Sequence, residues 1–140
     1  MPLSAELLNP VDRGFTALEA ALIEIAIPFA GAAADALARQ FAEAEVVGRN
    51  FSGVGSFSSI KVPEECPLVL PHPPSPFSPA GARIGESGQL LSCILWFEEG
   101  RLACIELQLL DAPNGPIDLS SVQFAVEPVW PLQQNRPTIH

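Results

Sequence analysis

The stretch FSGVGSFSSIKVP, Phe51 to Pro63, carries the residue types of a phosphate-binding loop. Two glycines sit one residue apart among serines, with Lys61 downstream. A dinucleotide-binding loop needs G-x-G-x-x-G between a strand and a helix, so that the helix N-terminus meets the pyrophosphate. Here the third position is Ser58, and the residues that follow alternate and stop at Pro63. A P-loop fails as well, because no G-K-[ST] occurs in the chain. The stretch is therefore expected to be a tight β-turn or bulge whose Gly53 and Gly55 supply positive φ.

Other chemistry is equally thin. The histidines are His72, in a proline-rich stretch, and His140, the last residue. No G-x-S-x-G nucleophile elbow is present. A Cys66–His72 dyad has no evident orienting group, and Cys93 and Cys104 lie in apolar runs, where a thiol is inert. No histidine or carboxylate spacing suits a metal, and no C-x-x-C occurs. Glu98 and Glu99 form a carboxylate pair in a turn context and read as solvated turn residues. Glu106 interrupts an apolar strand, so it either faces solvent or finds a cation, and Arg49 is the candidate mate for a structural ion pair. The expectation is a protein without catalytic, cofactor or metal residues.

Composition narrows the partners. The chain has 140 residues, room for one domain, with 48% hydrophobic residues to fill a core. One lysine and six arginines oppose sixteen acids, for a net charge of −9. Phosphate recognition needs cations, so nucleic acid is not an expected partner. An anionic membrane surface is unsuitable for the same reason, whereas a basic protein is electrostatically favoured. Three cysteines, an odd number, argue against a disulfide framework and fit reduced, buried thiols in the cytoplasm. The N-terminal residues show neither a basic n-region nor an apolar h-region. The longest uncharged run in the apolar stretch Ala17 to Ala38 is ten residues, Ile25 to Ala34, against about 20 for a membrane span.

The elements follow from periodicity. Leu18, Leu22 and Ile25 mark a helix that opens on a Thr16/Glu19 capping box and ends before Pro28. A second helix is expected from about Gly31 to Ala44, with Ala34, Leu37, Ala38 and Phe41 as its apolar stripe and Asp35 spaced to pair with Arg39. VVGRNF and SFSSIKV read as two strands. Seven of the 15 prolines lie from Pro63 to Pro79, an extended segment whose LVL and Phe77 should rest on the core.

LLSCILWFEEGRLACIELQLL reads as a hairpin, apolar on both faces and hence central in its sheet or covered on both sides. A two-residue loop at Glu99-Gly100 sets Glu98 opposite Arg101, Leu95 opposite Cys104 and Trp96 opposite Ala103. A three-residue loop with a glycine bulge sets Phe97 opposite Arg101 instead. Asn114-Gly115 reads as a turn. Val122 to Trp130 reads as a strand that Pro128 and Pro131 confine to an edge.

The expected fold is α+β, an N-terminal helical hairpin packed on a mostly antiparallel sheet of four to five strands. It is organised as one domain: a helical leader (1–45), a strand pair (46–62), a proline-rich loop (63–89), then a hairpin and edge strand (90–131).

Val46, Arg49, Ser52, Gly53, Gly55 and Phe57, followed by Gly100, Arg101, Leu102, Ile105 and Glu106, resemble the two blocks of a family of small uncharacterised bacterial proteins. Those proteins carry a helical leader, a V-x-x-R-x-x-[TS]-G-x-G-F-F segment and an E-G-R-type hairpin. Ser56 stands where the family has an aromatic. The resemblance spans about Leu37 to Leu107 and implies no activity. It implies an immunity-like role as the partner of another protein. The expected function is thus a small acidic protein-binding module, immunity-like or accessory, with Glu98, Glu99, His72 and Phe77 as its candidate binding surface. The alternatives are a self-associating domain, dimerising through the hairpin, and a small-ligand protein with a pocket between the sheet and the proline-rich loop.

Overall fold

A computed structural model describes residues 9–111 and 117–129. The expected Asn114-Gly115 turn, Trp130, Pro131 and His140 lie outside them. The described residues form an α+β fold. Two helices, α1 (Ala17–Ala26) and α2 (Ala34–Glu43), precede strands β1 (Glu45–Ser52), β2 (Gly55–Lys61), β3 (Ala80–Ile84), β4 (Gln89–Glu98), β5 (Arg101–Leu109) and β6 (Phe124–Pro128). The strands make one sheet in the order β1-β2-β5-β4-β3-β6, antiparallel at every pairing. The sixth strand beyond the expected four to five is accounted for by β3, which lies inside the stretch 63–89 read as loop.

Helix α1 opens on the capping box. Thr16 Oγ1 accepts the Glu19 N–H at 3.0 Å, and Glu19 Oε1 accepts the Thr16 N–H at 3.0 Å. Pro28 converts the chain to a 3-10 segment, Ile27–Ala33, and Gly31 breaks it with φ 63° and ψ −124°. That left-handed φ is why α2 starts at Ala34 and not at Gly31. The helices fold back as a hairpin. Phe15, just before α1, meets Phe41 near the end of α2 edge to face, ring centroids 5.2 Å apart. Arg13 lies 5.6 Å from both ring centroids. Its Nη1 donates to Phe41 O and Ala44 O, closing carbonyls that a helix C-terminus leaves open. Arg39 pairs with Glu43 at 3.7 Å, not with Asp35.

The helices cover one sheet face, α1 over β3 and β6, α2 beside β5. Leu18, Leu22, Ile23 and Leu37 are buried there with Ile84, Leu91, Leu95, Ile105 and Leu107. The segment Ala17–Glu43 is long and apolar enough by composition to cross a membrane. In this fold Leu18, Leu22, Ile23, Ala26, Ala33 and Leu37 of that segment are buried in the core.

The hairpin β4–β5 supplies the two middle strands. Glu99 and Gly100 have φ of 51° and 80°, a two-residue loop that sets Glu98 opposite Arg101. A bulge then resets the register, so Phe97 faces Leu102, Trp96 faces Cys104 and Leu95 faces Ile105. Leu102 and Ile105 are three residues apart and would point to opposite faces of a regular strand. The bulge lets both enter the core, where each is almost fully buried. The proline-rich segment packs against this hairpin. The Leu95 N–H donates to Phe77 O at 2.9 Å and the Val69 N–H to Gly100 O at 2.8 Å. Cys66, Val69 and Phe77 are buried beneath it.

Candidate functional site

Helices lie on one side of the sheet, and the other side carries apolar side chains without a covering layer among the described residues. The register places Phe57 beside Glu106, and Glu106 beside Ile94. Trp96, one pair further along, has its indole Nε1–H on Glu106 Oε1 at 3.0 Å. Phe57 is 46% exposed and Trp96 36%, while Glu106 and Ile94 are half-buried. The result is a small, partly exposed apolar cluster with one carboxylate bonded by an indole. A shallow slot of about 270 Å³ opens beside Phe57, lined among others by Asn50, Glu106 and Gln108.

Glu106 therefore does not pair with Arg49, and that expectation is corrected. Strand β2 separates β1 from β5, and Arg49 sits in the row Arg49–Ser58–Ile105, on the helix side. There Arg49 Nη2 bonds Glu19 Oε1 at 2.5 Å and Gly14 O at 2.9 Å, and its Nε donates to Ser58 Oγ at 2.9 Å. The Ser58 hydroxyl donates to Glu19 Oε2 at 2.5 Å. Glu19 is 1% exposed and Ser58 is fully buried. This carboxylate–guanidinium–hydroxyl cluster holds α1 to β1 and β2. Sequence reading found Glu19 as a capping residue and missed its second partner. The available signal was a carboxylate within an otherwise apolar helical stretch.

The other candidate surface residues divide. Phe77 is 3% exposed, so it is core and not surface. Its aromatic ring lies 6.0 Å from Phe97, and exposed His72 meets Phe97 edge-on at 6.5 Å. His72, Phe77, Trp96 and Phe97 line a cavity of about 350 Å³ between the proline-rich segment and β4. Glu98 and Glu99 are exposed at the hairpin end and line a different hollow with Lys61 and Arg101.

Neither Gly53 nor Gly55 has positive φ, contrary to expectation. Gly55 serves close approach: a Cβ there would lie 2.0 Å from Leu107 O. The turn also consumes its own donor, since the Val54 N–H bonds Ser52 Oγ at 3.3 Å.

All three cysteines are reduced and buried. Burial, then the Glu106 charge, pushes the Cys104 thiol up to about 12. Burial, then the Glu19 charge, raises Cys93 further. Among the described residues no group of three histidine, cysteine or acidic side chains is placed to hold a metal.

Comparison of the chain with protein-family models, curated proteins and solved structures returned no match.

Proposed function

We propose that the protein is a small acidic protein-binding module without catalytic activity, an immunity-like or accessory protein that acts in the cytoplasm. Its partner is a basic protein, docked on the open sheet face. The observation that carries this reading is the one-sided sheet: Phe57, Ile94 and Trp96 stand around Glu106 on the face the helices leave bare. The net charge of −9 favours a cationic partner and speeds its approach. The test is affinity capture from native lysate with the wild-type chain and with Phe57→Asp/Trp96→Asp. One stoichiometric basic protein, released by salt and lost in the double variant, is the expected result. Capture that ignores the double variant, or an empty eluate at every salt concentration, overturns it.

A second reading is supported by the cavity that His72, Phe77, Trp96 and Phe97 line. Its volume lies at the low end of small-ligand pockets, about 300–1,000 Å³. A metabolite thermal-shift screen distinguishes the two, because a ligand specific for the native state raises the melting temperature.

A further inference from the structure

We infer that the slot beside Phe57 is a receptor for an arginine side chain of the partner, with Glu106 as its anion; this rests on the protein-binding reading above. Glu106 is the single charged residue among those that line the slot. Its Oε1 is engaged by the Trp96 indole at 3.0 Å. Its Oε2 has no hydrogen-bond partner among the described residues. The indole holds the carboxylate by one oxygen, which leaves the other to accept and reduces the rotamer freedom lost on binding. Phe57 stands next to it across the strand pair and presents an exposed ring on which a cation rests favourably.

The choice of arginine over lysine follows from shape and donor number. A guanidinium is planar, stacks on an aromatic ring and carries five donors in a fixed fork, whereas an ammonium is a strongly hydrated point charge. The slot offers two further side-chain acceptors on the face that carries Glu106. Gln108 follows two positions along β5, and Asn50 is paired with Phe57 on β1, so all share one face. At about 270 Å³ the slot is smaller than the usual small-molecule pocket, about 300–1,000 Å³, and suits one inserted side chain.

The test follows the Trp96 indole N–H resonance, assigned with Trp96→Phe, in the full chain. The probes are a capped pentapeptide with one central arginine and the same peptide with lysine, citrulline or leucine there. The arginine peptide is expected to shift the resonance saturably, the lysine peptide at several-fold weaker affinity, and the neutral peptides not at all. Glu106→Gln, with an otherwise native spectrum, is expected to weaken the arginine peptide about tenfold, the scale of one charge-assisted hydrogen bond. Equal response to citrulline, no response to arginine, or an unchanged Glu106→Gln overturns the inference. So does a resonance that moves with protein concentration alone, which means a second copy occupies the face. If Phe57→Asp/Trp96→Asp abolishes partner capture while Glu106→Gln leaves the partner's affinity unchanged, the arginine slot fails and the docking face stands.

Discussion

The Gln40 side chain and the Leu102 backbone are joined in the interior: Gln40 Oε1 accepts the Leu102 N–H at 2.9 Å. The same amide donates through Nε2 to Pro67 O at 2.8 Å and Gly100 O at 2.9 Å. One fully buried side chain on α2 thus ties down the proline-rich segment and the central hairpin. Gln40→Met keeps the volume but strands the Leu102 N–H and the Pro67 carbonyl, while Gly100 O keeps the Val69 N–H. Each unsatisfied buried group costs about 1–3 kcal/mol. The variant is expected to lose about 3 kcal/mol in urea unfolding, and a loss below about 1 kcal/mol would show the amide to be dispensable.

The Glu19–Arg49–Ser58 cluster makes a second, separable prediction. Glu19→Gln leaves Arg49 without its counter-charge, and breaking one side of a buried pair costs about 3–5 kcal/mol. Arg49 keeps 19% side-chain exposure, which places the expected loss near the low end of that range. Glu19→Leu/Arg49→Met removes both charges and is expected to recover most of it, because the pair repays desolvation as much as it adds stability. Glutamine keeps an oxygen for the Thr16 N–H, so a double variant as unstable as Glu19→Gln would show that the stranded charge is not the source of the loss. Equilibrium unfolding of the two variants decides this.

What the sequence discloses about this molecule is what repeats locally. The Thr16 cap, the break at Pro28 and the Glu99-Gly100 turn each depend on neighbours within a few positions, and each is visible in the string. The β3 strand was hidden because AGARI is short and sits among prolines and glycines, so it earns its conformation from β4 and β6 on either side. The hairpin bulge was hidden because it satisfies Leu102 and Ile105 against helices distant in sequence. Arg49 illustrates the same limit. Spacing along the strands points it to Glu106, whereas its partner Glu19 lies 30 residues upstream on α1. His72 and Phe77 share the proline-rich segment, and only the fold separates the exposed ring from the buried one.

Gly53 and Gly55 part company under substitution. A Cβ at Gly55 would sit 2.0 Å from Leu107 O, a backbone atom that moves only if β2 separates from β5. At Gly53 nothing lies within 4 Å and φ is ordinary. Gly53→Ala is expected to leave stability within about 0.5 kcal/mol, the usual range for a surface change. Gly55→Ala is expected to cost about 1–3 kcal/mol, as overpacking does. Thermal unfolding of the two variants is the measurement, and equal effects would contradict the close-approach account.

Alkaline pH should weaken the fold through its thiols. The Cys104 pKa stands at about 12 in the folded chain against 9.0 for a free thiol, and Cys93 is raised as well. A raised folded pKa means that the native state holds its proton while the unfolded state releases it. The stabilisation is complete below pH 9 and is lost progressively as pH rises from there toward the folded pKa. The slope is about 1.4 kcal/mol per pH unit for each such thiol. The chain has no tyrosine and one lysine to share this range, and burial raises Cys66 as well. Urea midpoints are expected to be flat from pH 7 to about 8.5 and to fall by pH 10. Cys93→Ala/Cys104→Ala is expected to flatten the decline, and an equally steep decline in that variant would place its origin elsewhere.

The open sheet face also bears on whether the chain pairs with itself. Two copies stacked face to face about a two-fold axis would bring Glu106 of each into the same dry layer. Like charges so placed cost several kcal/mol, on top of the long-range repulsion between two chains of charge −9. Sedimentation at low salt is therefore expected to show a monomer across the accessible concentration range. Salt screens the long-range term within about 10 Å at 0.1 M, and Glu106→Gln removes the local one. The variant in salt is the condition under which Phe57 and Trp96 are expected to drive weak dimerisation. A wild-type dimer at low salt would mean that a second copy has a better complement for this face than charge allows, and would move the function from hetero-association to self-assembly.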